Sequence, residues 1–130
     1  MNWTIREKEF ESVMRLQAHA RYEHFVKKVA DWKEIWSLWN DGWVLMGDPD
    51  ENETVPVWPH AKYAEAAAVG EWLGYEPRRI PLDDWLDKWT PGMTRDKRKV
   101  AVFPTGKGKT VTVDPLRLKT DLEKELSRYE

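Results

Sequence analysis

Ile35-Trp36-Ser37-Leu38-Trp39, then Asn40-Asp41-Gly42, then Trp43-Val44-Leu45-Met46: this run can be read in two ways, and the choice sets the fold class. Counted from Trp32, the tryptophans at 36, 39 and 43 are spaced four, three and four residues apart, which is helical spacing. Against this, Asp-Gly between two β-favouring runs is a strong short-range hairpin signal. The hairpin is the reading adopted, so strands begin at Ile35. The alternative is a helix that ends with Gly42 just beyond its last turn.

Upstream, Phe10, Val13, Met14 and Gln17 recur at helical spacing, and Tyr22, Phe25, Val26, Val29 and Trp32 carry a stronger apolar stripe. Whether they form two helices or one bent helix is left open. Downstream, Thr54 to Trp58 reads as a strand stopped by Pro59. A helix follows over Tyr63, Ala64, Ala67, Ala68 and Trp72, ending at Gly74. Arg79-Ile80 is a short extended piece. Leu82, Trp85, Leu86 and Trp89 mark a short helix that Pro91 and Gly92 terminate. Val100–Phe103 and Thr110–Val113 form a hairpin around Gly106 and Gly108. Asp114-Pro115 opens a last helix with Asp as N-cap and Pro at the first position. Its buried stripe is Leu118, Leu122, Leu126 and Tyr129, with Lys119 and Glu123, and Glu125 and Arg128, at ion-pair spacing outside. The expected fold class is therefore α+β: a single domain over 1–130, with an antiparallel-rich sheet of about five strands, an N-terminal helical segment and a C-terminal helix packed on it.

The chain has 130 residues, enough to bury a sizeable core without a staple. It has no cysteine, which removes disulfides, thiolate metal sites and a cysteine nucleophile together and suits a reducing cytoplasm. Met1 to Phe10 is charged and lacks the apolar core of a signal peptide, and no apolar run is long enough for a membrane span, so a cytoplasmic protein is expected. Charged residues make up 34% of the sequence, but 21 Lys and Arg against 23 Asp and Glu leave a formal net charge of −2. That balance disfavours a dedicated duplex-binding protein. Locally, Asp48, Asp50, Glu51 and Glu53 form an acidic loop, while Arg95, Lys97, Arg98, Lys99, Lys107 and Lys109 form a basic patch around the later hairpin. Charge runs of this kind usually face water.

Gly106-Lys107-Gly108-Lys109-Thr110 has the look of a phosphate-binding loop but departs from one twice: Phe103 stands where the first glycine is needed, and a strand follows instead of a helix. His19, His24 and His60 include no pair at helical metal-ligand spacing, so no metal site is expected and no cofactor is implied. Asp83, Asp84 and Asp87 fit the first turns of a helix, where carboxylates complement the macrodipole. No Gly-x-Ser-x-Gly elbow is present and no Ser or Thr adjoins a His. No catalytic residue is assigned.

Nine tryptophans, against four Tyr and three Phe, remain to be placed. Val55-Pro56-Val57-Trp58-Pro59-His60-Ala61-Lys62-Tyr63 is the best candidate stretch. It carries an aromatic, an imidazole and a Lys through a strand-to-helix turn whose first N–H groups are free. In one reading Trp43, Trp58, His60, Lys62 and Tyr63 form a ligand or partner surface. In the other, Trp58 packs in the core and His60 only caps the helix.

Several segments also resemble a known family. Arg21-Tyr22-Glu23-His24-Phe25-Val26-Lys27-Lys28-Val29-Ala30-Asp31-Trp32, Trp36-Ser37-Leu38, Asp41-Gly42-Trp43, Trp58-Pro59-His60, Tyr63-Ala64 and Val102-Phe103-Pro104 are similar to the bacterial family called domain of unknown function 2750. The resemblance runs from about Arg21 to Tyr129 and implies no activity, cofactor or site residue. A looser likeness, in the order of elements from Thr54 onward, is to the N-terminal domain of SseB-like proteins, and implies a non-catalytic domain that binds protein. Val57, Trp58, Ala64, Leu82, Leu86 and Leu118 carry it.

The leading functional expectation is a non-enzymatic protein-binding module with exposed Trp as the hot spot. The second is a small-ligand or enzymatic pocket around Trp43, Trp58, His60 and Tyr63. The third is stacking of single-stranded nucleic acid on Trp, helped by Arg95 to Lys99 and Lys107 to Lys109.

Overall fold

The computed structural model describes residues 3–129, the side chain of Tyr129 excepted, so the expected burial of Tyr129 falls outside the described side chains. The N-terminal segment is two helices, α1 (Glu7–Met14) and α2 (Ala18–Trp32). Lys33 ends α2 in the left-handed conformation, φ 63°, with its N–H donating to the Val29 carbonyl at 2.8 Å. The chain then enters β1 (Glu34–Trp39), so the helical spacing of the tryptophans does not prolong the helix.

The Asp-Gly reversal forms, with Asp41 at φ 55° and a single antiparallel bridge between Trp39 and Trp43. The second arm departs from expectation: it stays beside β1 only as far as Val44, whose N–H donates to the Leu38 carbonyl at 3.0 Å, and only β2 (Met46–Gly47) forms a strand, paired with β3 (Glu53–Val57). Both edges of β1 are engaged elsewhere. One carries β4 (Glu76–Pro81) in a six-residue antiparallel register, and the other meets Trp58 through Trp36, with backbone hydrogen bonds of 2.9 and 2.8 Å. The expected extended piece at Arg79-Ile80 is thus the centre of a full strand. Its Pro77 and Pro81 suit an edge position, and among the described residues β4 pairs with no strand besides β1.

The larger sheet has the order β2-β3-β5-β6, with β5 (Lys99–Val102) and β6 (Val111–Val113) as the expected hairpin. Pairs β2–β3 and β5–β6 are antiparallel, while β3 and β5 run parallel. The fold is α+β and mostly antiparallel, with its strands divided between two sheets joined at the Trp36–Trp58 bridge.

Helix α3 (Ala61–Ala67) is shorter than its apolar pattern predicts. The helix closes at Ala68, Val69 is extended, and Trp72 lies on a separate 3₁₀ turn, Gly70–Trp72, that opens with Gly70 at φ 60°. The helix expected to stop at Pro91 instead continues through it, as α4 (Leu82–Asp84), a π turn (Trp85–Trp89) and α5 (Thr90–Arg95). The wider turn makes room for the proline: the Thr90 N–H reaches the Trp85 carbonyl, and its hydroxyl donates to the same oxygen at 2.9 Å. The last helix, α6 (Pro115–Leu126), has Asp114 at the N-cap, but the Asp114 side chain bonds no backbone N–H there. Leu118 and Leu122 are fully buried and Leu126 is half-buried. Glu125 pairs with Arg128 at 3.8 Å and Arg117 with Asp121 at 3.2 Å, whereas Lys119 and Glu123 form no pair among those of the described residues.

Helices α2 and α6 pack together, and Phe25, Val29, Leu118 and Leu122 share one core with Val57, Val100 and Val102. Arg21 lies inside it at 4% exposure. Its guanidinium donates to three carbonyls, those of Phe103 (3.0 Å), Leu16 (2.6 Å) and Lys109 (2.7 Å). No helix among the described residues is long and apolar enough to cross a membrane.

Candidate binding groove

Of the nine tryptophans, Trp58 and Trp85 are fully buried and the other seven half-buried. Trp58 donates its indole N–H to the Pro104 carbonyl at 2.9 Å. Tyr63, 1% exposed, lies against Phe103 and stacks on Phe10. Burial and the nearby Glu9 carboxylate push the Tyr63 phenol well above its ordinary value. Its hydroxyl has no hydrogen-bond partner among the described residues.

His60 caps α3. Its Nδ1 accepts from the Lys62 N–H at 3.0 Å, which places the proton on Nε2, facing the Trp3 carbonyl at 2.8 Å. Lys62 pairs with Glu7 at 3.2 Å and lies over the Phe10 ring. His60 and Lys62 do come together, in a surface hollow shared with Trp3 and Phe10, while Trp58 and Tyr63 are closed into the core. Trp43 lies elsewhere, so the five residues do not line one cavity.

The basic patch divides in the same way. Lys107 and Lys109 occupy the turn at one end of the β5–β6 hairpin, and Arg95 to Lys99 precede or begin β5 at the other. The acidic loop meets the second group, because β3 and β5 are neighbours in register from Thr54 and Lys99. Glu53 stands 3.8 Å from Arg98, and Asp96 stands 3.4 Å from both Arg95 and Arg98. Asp48 accepts from the side chain and backbone of Asn52 and the backbone of Asp50, which hold its carboxyl below the usual range. Gly106 to Thr110 is the hairpin turn and leads into a strand.

What the folding does assemble is an aromatic surface around Trp43. The Asp41-Gly42 reversal sets Trp43 edge-on to Trp39, with centroids 5.1 Å apart at 82°. The π turn presents Trp89, which meets Trp43 at 4.8 Å and 81° while stacking on buried Trp85 at 5.4 Å. Arg78, from edge strand β4, lays its guanidinium 4.1 Å over Trp39. On the far side of Trp43 opens a groove of about 440 Å³, walled by Trp43, Trp89 and Leu45 and floored by Val55 and Met93. Lys88, Asp96 and Arg98 stand at its rim.

Arg98 also lines a second hollow, of about 490 Å³, with Lys97, Lys99, Arg117 and the start of α6. Its Nε is buried without a hydrogen-bond acceptor among the described residues. Trp43 and Arg98 are far apart in sequence and meet at the groove only through the fold. Trp89 is not evident as a groove residue from the sequence, because Trp85, Leu86 and Trp89 repeat like a buried stripe, yet Trp89 stacks on buried Trp85 and stays half-buried beside Trp43.

Between α2 and α6, Tyr22 donates to the Asp121 carboxylate, which also accepts from Arg117 at 3.2 Å. Burial and that hydrogen bond raise the Tyr22 phenol above its ordinary value. His24, whose Nε2 is buried without a partner, is pushed below the ordinary imidazole value, first by burial and then by Lys28. Among the described residues no group of three or more His, Asp or Glu side chains is placed to hold a metal ion.

Fold and groove together define a small α+β domain of two sheets in which three half-buried indoles, those of Trp39, Trp43 and Trp89, meet in one cluster. The chain belongs to the DUF2750 family, described as a protein of unknown function, whose model matches residues 22–122. That span holds every strand, the aromatic groove and the His60 cap, and leaves α1 outside. No curated protein matches the chain.

Proposed function

We propose that this chain is a non-catalytic binding domain that holds a segment of another protein in the Trp43–Trp89 groove. The observation that carries it is the pair of half-buried, mutually perpendicular indoles standing over Val55 and Met93. Trp is among the residues enriched at interface hot spots, where a partner completes the burial of a pocket. A chain without cysteine suits the reducing cytoplasm, which is the compartment proposed.

A small ligand in the same groove is the second reading, since about 440 Å³ falls within the range of small-molecule sites. It displaces the earlier pocket around Trp58 and Tyr63, both of which are covered. Nucleic-acid stacking draws little support, because the basic residues lie at two ends of a hairpin and three of those near β5, Arg95, Arg98 and Lys99, have carboxylate neighbours.

The test is selection of a random displayed peptide library on the immobilised chain, followed by affinity measurement with Trp89→Ala. Loss of a hot-spot indole is expected to weaken a selected peptide by about thirtyfold or more, with the variant's unfolding still cooperative. A selected peptide that binds Trp89→Ala as tightly as the parent chain rules this groove out.

A further inference from the structure

We propose that residues 3–14 are a releasable strap closing a second binding seat, and that the segment which fills this seat when the strap opens is the strap of another copy of the chain. The strap is a non-helical stretch from Trp3 to Arg6 followed by α1. Two rings fasten it. Trp3 stacks on Trp32 at 6.0 Å and 14°, stands edge-on to His60 at 4.9 Å, and turns its carbonyl to His60 Nε2 at 2.8 Å. Phe10 stacks on Tyr63 at 5.3 Å and 10°, and Ile5 and Val13 are buried beside these rings. The seat thus reads two aromatic side chains and one backbone carbonyl, a set that every copy of the chain carries. It shares no lining residue with the Trp43–Trp89 groove.

The strap is held by side chains. Among the described residues no strand or helix runs closely alongside α1. Its seam with α3 is already open as a hollow of about 650 Å³, with Trp3, Ile5 and Phe10 on one side and His60, Lys62 and Ala66 on the other. The Lys62–Glu7 pair at 3.2 Å bridges that seam at the surface, where ion pairs contribute little. The floor is incompletely satisfied as well. Tyr63, beneath Phe10, has a hydroxyl without a hydrogen-bond partner among the described residues, and so has the buried Nε2 of His24, whose ring lies 6.5 Å from that of Trp3. Desolvated polar groups without partners oppose the closed arrangement.

The strap also has a defined end. The Leu16 carbonyl accepts from buried Arg21 at 2.6 Å, and the same guanidinium is fixed to the carbonyls of Phe103 and Lys109, so the chain is pinned at Leu16 and movement is confined to the residues before it. His24, Trp32, His60 and Tyr63 lie within the family match at residues 22–122, and the strap lies outside it. A terminal element on a short link, seated by side chains on its own domain, exchanges between two copies with its contacts kept.

The test uses two variants of the full chain. Trp3→Ala with Phe10→Ala strips the strap and leaves the seat; His60→Ala weakens the seat and leaves the strap. Each alone is expected to sediment as a monomer and their equimolar mixture as a heterodimer. A synthetic peptide of residues 3–14 is expected to bind the Trp3→Ala, Phe10→Ala chain and to displace the His60→Ala chain from it. It is expected to bind the parent chain at least about tenfold more weakly, because the parent's own strap competes at a local concentration on the order of millimolar. A stripped chain that takes neither the peptide nor the His60→Ala chain overturns the seat. Peptide binding without a heterodimer overturns the second copy as its occupant. Loss of cooperative unfolding in the stripped chain makes residues 3–14 part of the core and overturns the strap itself.

Discussion

Arg21 shows how one residue can tie distant parts of a chain without an opposite charge. Its planar fork reaches the carbonyls of Leu16, Phe103 and Lys109, and burial lowers its pKa. Replacing it by Met leaves three carbonyls short of a donor, and urea unfolding is expected to show a loss of about 3 kcal/mol. Arg21→Lys is expected to recover only part of this, because an ammonium cannot match the fork geometry. The sequence does carry half of this information. A charged residue four positions before Phe25 falls on the core face of α2, which is visible in the pattern. Its acceptors are not, since backbone carbonyls carry no residue signature. The same blindness covers His60, whose cap on Lys62 was foreseen but whose second contact is a carbonyl of Trp3.

Elements follow their patterns where one periodicity dominates. Helix α6 was legible from Asp114-Pro115 and the Leu118–Leu122 spacing. Leu122→Ala is expected to cost about 2–5 kcal/mol by thermal or urea unfolding, the range for truncating a fully buried Leu. A loss below about 0.5 kcal/mol would place this stripe outside the core. Where backbone hydrogen bonding overrides periodicity, reading failed. Pro91 looks like a helix stop, yet the π turn at Trp85–Trp89 absorbs it. Glu76 to Pro81 lacks any alternating apolar pattern because an edge strand with one partner and two prolines needs none. Trp43 to Met46 has the composition of a strand beside β1, but farther along that edge Trp58 is already bonded to Trp36, so the arm leaves β1 after Val44 and pairs with β3.

At the scale of the molecule, ionisable groups buried in their neutral forms set the pH range of stability. His24 sits below the ordinary imidazole value of 6.5, so as pH falls through 6.5 the unfolded chain takes up a proton that the folded chain resists, and stability falls. Tyr22 and Tyr63 are raised above the ordinary 10, so as pH rises past 10 the unfolded phenols ionise first and stability falls again. Urea midpoints measured across pH are expected to form a plateau between these limits. His24→Leu should flatten the acid side, and Tyr63→Phe, which removes a hydroxyl without a partner, the alkaline side. If both variants keep the parent profile, other groups set the limits. Charge placement was the least legible property at this scale. The acidic loop and the basic residues before β5 are far apart in sequence, and only the parallel β3–β5 register makes them neighbours.

That register also governs how the chain can be made. Thr54 to Val57 waits for Lys99 to Val102, and Glu34 to Trp39 waits for Glu76 to Pro81. During vectorial synthesis the first strands therefore leave the ribosome with their ladder groups open to water. A nascent chain stopped before Val102 can pair Glu34 to Trp39 with Glu76 to Pro81, but it leaves the Thr54 to Val57 edge without its parallel neighbour, the kind of open edge that chaperones bind.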